Sequence, residues 1–139
     1  MARPASTHPT DGELEILRVL WERGPLSLSA LCEALRQERD VATTTVATML
    51  GVMAGKRLVR RKRAGRGVEW SAAVSREATA RSMVGKLVDR IFDGSAERLA
   101  AHLVEGGELS AAELTELRKL IDESERSSRK GAKTKRHEH

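Results

Sequence analysis

The stretch Thr43-Thr-Thr-Val-Ala-Thr-Met-Leu-Gly-Val-Met-Ala-Gly55, followed at once by Lys56-Arg-Leu-Val-Arg-Arg-Lys-Arg63, decides how this chain is read. At 100° per residue, Val46, Met49, Leu50 and Met53 gather on one side of a helix. Thr44, Thr48 and Gly51 point the opposite way, with Thr45, Ala47 and Val52 on the flanks. One face suits a core and the other is small. Thr43 stands where a capping hydroxyl is expected. The basic run continues through Ala64-Gly-Arg-Gly67 to Val68-Glu-Trp-Ser-Ala72, which reads as two short strands around a glycine turn.

Upstream, Thr10-x-x-Glu13 has capping-box spacing, and Leu14, Leu17, Leu20 and Trp21 recur helically until Gly24-Pro25 stops them. Ser27 caps a second helix with Leu28, Leu31 and Leu35 on one face. Three helices and a basic hairpin predict a winged helix-turn-helix. The fold class is therefore mainly α with a small β-wing, plus a C-terminal helical dimerisation region.

Downstream, Ser75 caps a longer helix reaching about Phe92, with Met83, Leu87, Val88 and Ile91 in a stripe. Ser95 starts a short helix with Leu99 and Leu103, broken by Gly106-Gly107. Ser110-x-x-Glu113 is a second capping box, opening a helix with Leu114, Leu117, Leu120 and Ile121. The expected organisation is a disordered leader over 1–9, a winged helix-turn-helix domain over 10–74, a helical dimerisation region over 75–124 and a basic disordered tail over 125–139. The tail carries Arg126, Arg129, Lys130, Lys133, Lys135 and Arg136 without apolar periodicity.

Composition narrows the function. Aromatic residues make up only 2% of the 139 residues, so a core must rest on aliphatic side chains, which suits packed helices. The formal net charge of +5 favours an acidic partner such as nucleic acid. The single cysteine, Cys32, excludes an internal disulfide framework and reads as a buried structural thiol. No apolar run approaches the ~18 to 20 residues of a bilayer span, and no signal core follows the start, so a cytoplasmic location is expected. His102 stands alone, His8, His137 and His139 fall in the presumed tails, and no nucleophile triad, metal-ligand spacing or phosphate loop is present. The expectation is a protein that is not an enzyme and uses no cofactor, metal or small-molecule substrate.

The residues that carry function follow from groove geometry. A recognition helix must enter a major groove ~12 Å wide, so its outward face must be small or hydrogen-bonding. Thr44, Thr45 and Thr48 are candidates for base edges, with Thr43 at a phosphate. Arg60, Arg61, Lys62, Arg63 and Arg66, in a basic run beginning at Lys56 and Arg57, are candidates for phosphates, because no acid interrupts them until Glu69. Leu87, Val88, Ile91, Leu99, Leu103, Leu114, Leu117 and Ile121 exceed what the small N-terminal domain needs to cover itself, and point to a homodimer on a two-fold operator. Two alternatives are a winged-helix protein-interaction module and a non-specific nucleic-acid-binding protein driven by the wing and tail.

From about Asp11 to Glu123 the sequence resembles the BlaI/MecI/CopY penicillinase-repressor family. The stretches that carry the likeness are Glu13-Leu-Glu-Ile-Leu-Arg-Val-Leu-Trp21, Thr43 to Leu50, Lys56 to Arg61, Phe92-Asp-Gly-Ser95 and Leu109-Ser-x-x-Glu-Leu-x-x-Leu117. The resemblance implies a homodimer whose N-terminal winged helix reads a palindromic double-stranded DNA operator. It also implies, for penicillinase systems, release when a membrane-bound metalloprotease sensor triggers cleavage of the C-terminal region. Ala101, His102 and Leu103 match the cleavage region but lack its Asn-Phe pair. Thr44, Ala47 and Val52 stand where well-known members carry basic residues, so affinity is expected to lean on the wing. Cys32 alone cannot form the Cys-x-Cys pairs of the copper-responsive branch.

Overall fold

A computed structural model describes residues 8–137, with side-chain surroundings as far as Arg129. The elements in chain order are α1 (Asp11–Arg23), α2 (Leu28–Arg36), α3 (Thr43–Gly55), β1 (Val59–Ala64), β2 (Gly67–Ala72), α4 (Arg76–Ile91), α5 (Ala96–Glu105) and α6 (Ala111–His137). The chain divides into two compact units after Leu87.

In the first unit, α1, α2 and α3 each contribute one apolar stripe to a common core. Ile16, Leu17 and Leu20 meet Leu31, Cys32 and Leu35, and both sets meet Val46, Leu50 and Met53. Leu58 and Val59 close the core from the start of the hairpin. Gly12 and Gly24 sit at special places on α1, and of the two only Gly24 has a backbone that needs glycine. A Cβ on Gly12 would come within 2.9 Å of Met49 Cε, so α1 and α3 approach closely there. Gly24 takes φ +79 as α1 stops, a conformation that side chains disfavour.

The hairpin is antiparallel, pairing Val59 with Ala72 and Ala64 with Gly67 around the loop Gly65-Arg66. Gly65 holds φ +61, as the first position of such a two-residue loop requires. The sequence did not reveal a third extended segment. Leu26 and Trp70 exchange backbone hydrogen bonds of 3.0 and 2.7 Å, which tie the turn after α1 to β2. α3 ends in a Schellman motif: Leu58 N–H donates to the Met53 carbonyl and Arg57 N–H to that of Ala54. Arg57 occupies the left-handed position, with φ +65.

The capping box at α1 forms as its spacing requires. Glu13 N–H donates to Thr10 Oγ1 at 3.2 Å, and Thr10 N–H donates to Glu13 Oε1 at 2.9 Å. Lys56 Nζ donates to the same carboxylate oxygen at 2.8 Å. Lys56 therefore leaves the basic run to anchor the end of α3 on the start of α1. Burial disfavours the Glu13 charge, but Lys56 and the Thr10 amide outweigh it and hold the carboxyl below its usual range. Because the folded-state value is lowered, this stabilisation is complete above the ordinary carboxylate range and is lost as pH falls through the folded value. Glu13→Gln is expected to cost about 2 kcal/mol near neutral pH. In urea melts, the gap to the parent protein should narrow below about pH 4.

Three sequence expectations change. Thr43 is not the cap of α3: the cap is Ala42, without a side-chain bond, and Arg36 Nη2 donates to Thr43 Oγ1 at 2.6 Å. The first bond of the helix runs from Val46 N–H to the Ala42 carbonyl, so Thr43 already lies inside the first turn. The leader over 1–9 falls on residues 1–7, outside the described residues, and on His8 and Pro9. Pro9 is buried, beside a cavity it shares with Leu58, Val74 and Thr79. Residues 125–137 of the expected tail are helical, the continuation of α6. Helices require no apolar stripe, and Glu125 lies one turn before Arg129 in the favourable order for an i,i+4 pair.

The second unit shows the opposite of a core. Its caps are in place, with Arg98 N–H donating to Ser95 Oγ, and Ser110 and Glu113 completing a capping box. Phe92 and His102 rings lie 5.8 Å apart. Yet no residue from 88 to 129 is buried.

Candidate nucleic-acid interface

The second helix of the helix-turn-helix, α3, buries Val46, Leu50 and Met53 and leaves Thr43, Thr44, Thr45, Ala47, Thr48 and Gly51 exposed. The outward face carries no charge and no large polar group, so it can approach a groove floor closely. Its hydroxyls are not equivalent. Thr48 Oγ1 donates to the Thr44 carbonyl at 2.9 Å, so outward it offers lone pairs and a methyl group. It can accept from an adenine or cytosine amino group, or pack on a thymine methyl. Thr43 Oγ1 already accepts from Arg36, which leaves its proton free for a phosphate oxygen.

Two further residues belong to this surface. Arg36 is fixed at the start of α3 by its bond to Thr43 and by a 3.0 Å bond from Nε to the Val41 carbonyl. Helical period alone does not place it here, because only the turn between α2 and α3 brings it to Thr43. Val52 is 52% exposed and lies one turn after Thr48. Its place on the helix flank was legible, but its accessibility was not.

The hairpin register divides the wing cations. Arg61 lies opposite Trp70 and Arg63 opposite Val68, so these four share one face. Arg60 lies opposite Ser71 and Lys62 opposite Glu69, on the other face, and Arg66 sits in the loop. Arg61 and Thr43 line one cleft, so the Arg61 face is the one brought to the start of α3. All five are exposed, and none of the ion pairs among the described residues involves them. Charges left unpaired at this density repel one another until an anion arrives.

The family model described as penicillinase repressor matches residues 9–123. This chain belongs to the penicillinase repressor family. The match spans α1 to most of the apolar part of α6, so it covers both units. Among its relatives, the methicillin resistance regulatory protein MecI of Mammaliicoccus sciuri is 20% identical over 81% of this chain and 92% of its own. The penicillinase repressor of Bacillus licheniformis is 20% identical over 82% of this chain and 89% of its own. Among solved structures, the oxidised form of MarR from E. coli is 18% identical, covers 84% of this chain and 75% of that one, and gives a TM-score of 0.47.

Penicillinase repressors are transcriptional regulators, and this member carries the winged helix-turn-helix expected of one. No helix among the described residues is long and apolar enough to cross a membrane. The remaining candidate residues sit in the other parts of the molecule. Leu87, at the end of the first unit, and Ile91 and Ile121 in the second are exposed. Val88, Leu99, Leu103, Leu114 and Leu117 are half-buried. Ala101, His102 and Leu103 lie within α5, the first two exposed.

Proposed function

We propose that this penicillinase repressor family member binds a palindromic DNA operator sequence-specifically as a homodimer and acts by occupancy, without catalysis. The observation that carries the reading is the pairing of a small, uncharged helix face with exposed cations that have no carboxylate partner among the described residues. Thr44, Thr45 and Thr48 meet base edges, while Thr43, Arg60, Arg61, Lys62, Arg63 and Arg66 bind mainly phosphates. A hairpin with cations on both faces and at its tip can address phosphates on either side of a groove.

The dimer reading rests on the second unit. Helices with apolar stripes but without a buried residue gain stability only when another surface covers them. A second copy supplies the matching stripe and sets two recognition helices on a two-fold operator. For release, family membership favours cleavage near Ala101, His102 and Leu103, prompted by a membrane-bound metalloprotease sensor. A protease takes an extended strand, so α5 must first unwind. Its lack of buried residues makes that opening cheap.

Selection of genomic fragments, followed by titration against mixed competitor duplex, tests the reading. A recovered dyad bound at least about 10³-fold more tightly than competitor is expected. Equal binding to every duplex would favour a non-specific nucleic-acid binder. Failure to bind DNA, with capture of an acidic protein, would favour an interaction module. On the recovered site, Thr44→Ala is expected to cost ~1 to 3 kcal/mol at one or two base positions and to leave the salt dependence unchanged.

A further inference from the structure

A cleft of about 520 Å³ opens in the first unit between α2, the start of α3 and the hairpin. Leu28, Cys32, Val68 and Trp70 give it an apolar lining, and Arg36, Arg61 and Thr43 supply polar groups. No acidic side chain is among the described residues that line it. Its size lies within the range of small-molecule sites, and its make-up, apolar walls with a few convergent polar groups, is theirs as well. The register fixes Arg61 opposite Trp70, so the two side chains share one wall. Two bonds fix Arg36 at the other side, with further N–H groups still to donate. Neither arginine forms an ion pair among the described residues.

Two guanidiniums above an apolar floor select an anion with a planar, two-oxygen head and a compact apolar body. We propose that this cleft binds a small organic carboxylate carrying an aromatic or branched hydrocarbon body, and that its occupancy opposes DNA binding. The head pairs with Arg61 and Arg36, and the body packs on Trp70, Val68 and Leu28. Opposition follows because Arg61 cannot serve ligand and phosphate together. This second half rests on the proposed DNA-binding function, whereas direct occupancy of the cleft does not.

The test uses the full chain with 3-phenylpropionate and its uncharged analogue 3-phenylpropanamide. The protein has two tryptophans, Trp21 and Trp70, so ¹H–¹⁵N spectra show two indole signals, assigned with the Trp70→Phe variant. The acid is expected to shift the Trp70 signal saturably and leave that of Trp21 in place. The amide and the Arg61→Gln variant should each show binding weaker by about tenfold or more. Ser29→Tyr, an exposed cleft position outside the proposed DNA-binding residues, should block the acid. Adding the acid should release operator DNA from the parent protein but not from the Ser29→Tyr protein. Absence of a saturable Trp70 shift, or equal binding of acid and amide, would overturn the site. Acid binding without any release of operator would overturn the coupling. A Trp70 shift in a protein that binds no DNA would leave the cleft standing and refute the operator reading instead.

Discussion

Leu117→Glu combined with Ile121→Glu is expected to turn the protein into a monomer and to weaken operator binding by ~10² to 10⁴-fold. Ile121 is 50% exposed in the single chain, and Leu117 lies one turn earlier on the same stripe of α6. Glutamate is a good helix former, so α6 itself should persist. Two copies brought together by this stripe would instead have to desolvate four carboxylates, which costs far more than the apolar packing they replace. The first unit has its own core of α1, α2, α3 and hairpin residues, so its melting should be unaffected. Sedimentation equilibrium and operator titration on the same preparation check both halves. A doubly substituted protein that still sediments as a dimer would remove α6 from the interface.

The other large effect is expected at the wing. Arg61→Ala with Arg63→Ala removes the cations on the face turned toward α3, and Arg60→Ala with Lys62→Ala removes those on the opposite face. Removing one phosphate-binding cation should lower the slope of log affinity against log salt by about 0.9. Either pair should therefore flatten the slope by nearly two per subunit and weaken all sequences alike. If the hairpin touches the duplex with one face only, the Arg60 and Lys62 pair will leave the slope where it was. Arg66→Ala, at the loop, reports separately on the tip.

Much of the fold was written in local chemistry. Thr10 with Glu13, Ser27, Ser95 and Ser110 with Glu113 marked helix starts because capping is decided within three residues. The stripe of Val46, Leu50 and Met53 marked the inner face of α3 because the helical period alone sorts it. What escaped notice depends on bonds between distant segments. The Leu26–Trp70 bridge, the Arg36 bond to Thr43 and the Lys56 bond to Glu13 join residues that no period relates. The extension of α6 escaped for a different reason: charged residues that form helices well give no apolar signal.

The candidate site was legible as residue types and only partly as geometry. Runs of threonine and arginine marked the candidate residues. Strand alternation alone separates Arg61 and Arg63 from Arg60 and Lys62, while the register set by the two-residue loop Gly65-Arg66 decides which residues of β2 they face.

Hydroxyl-radical footprinting of the full chain on its selected duplex at moderate ionic strength would reveal whether α3 and the hairpin form one DNA-binding surface. Two symmetric protected segments about one or two helical turns apart are expected, with flanking protection that disappears in the wing variants and persists in Thr44→Ala. Folded, paired protein that leaves every duplex evenly cleaved would contradict that reading.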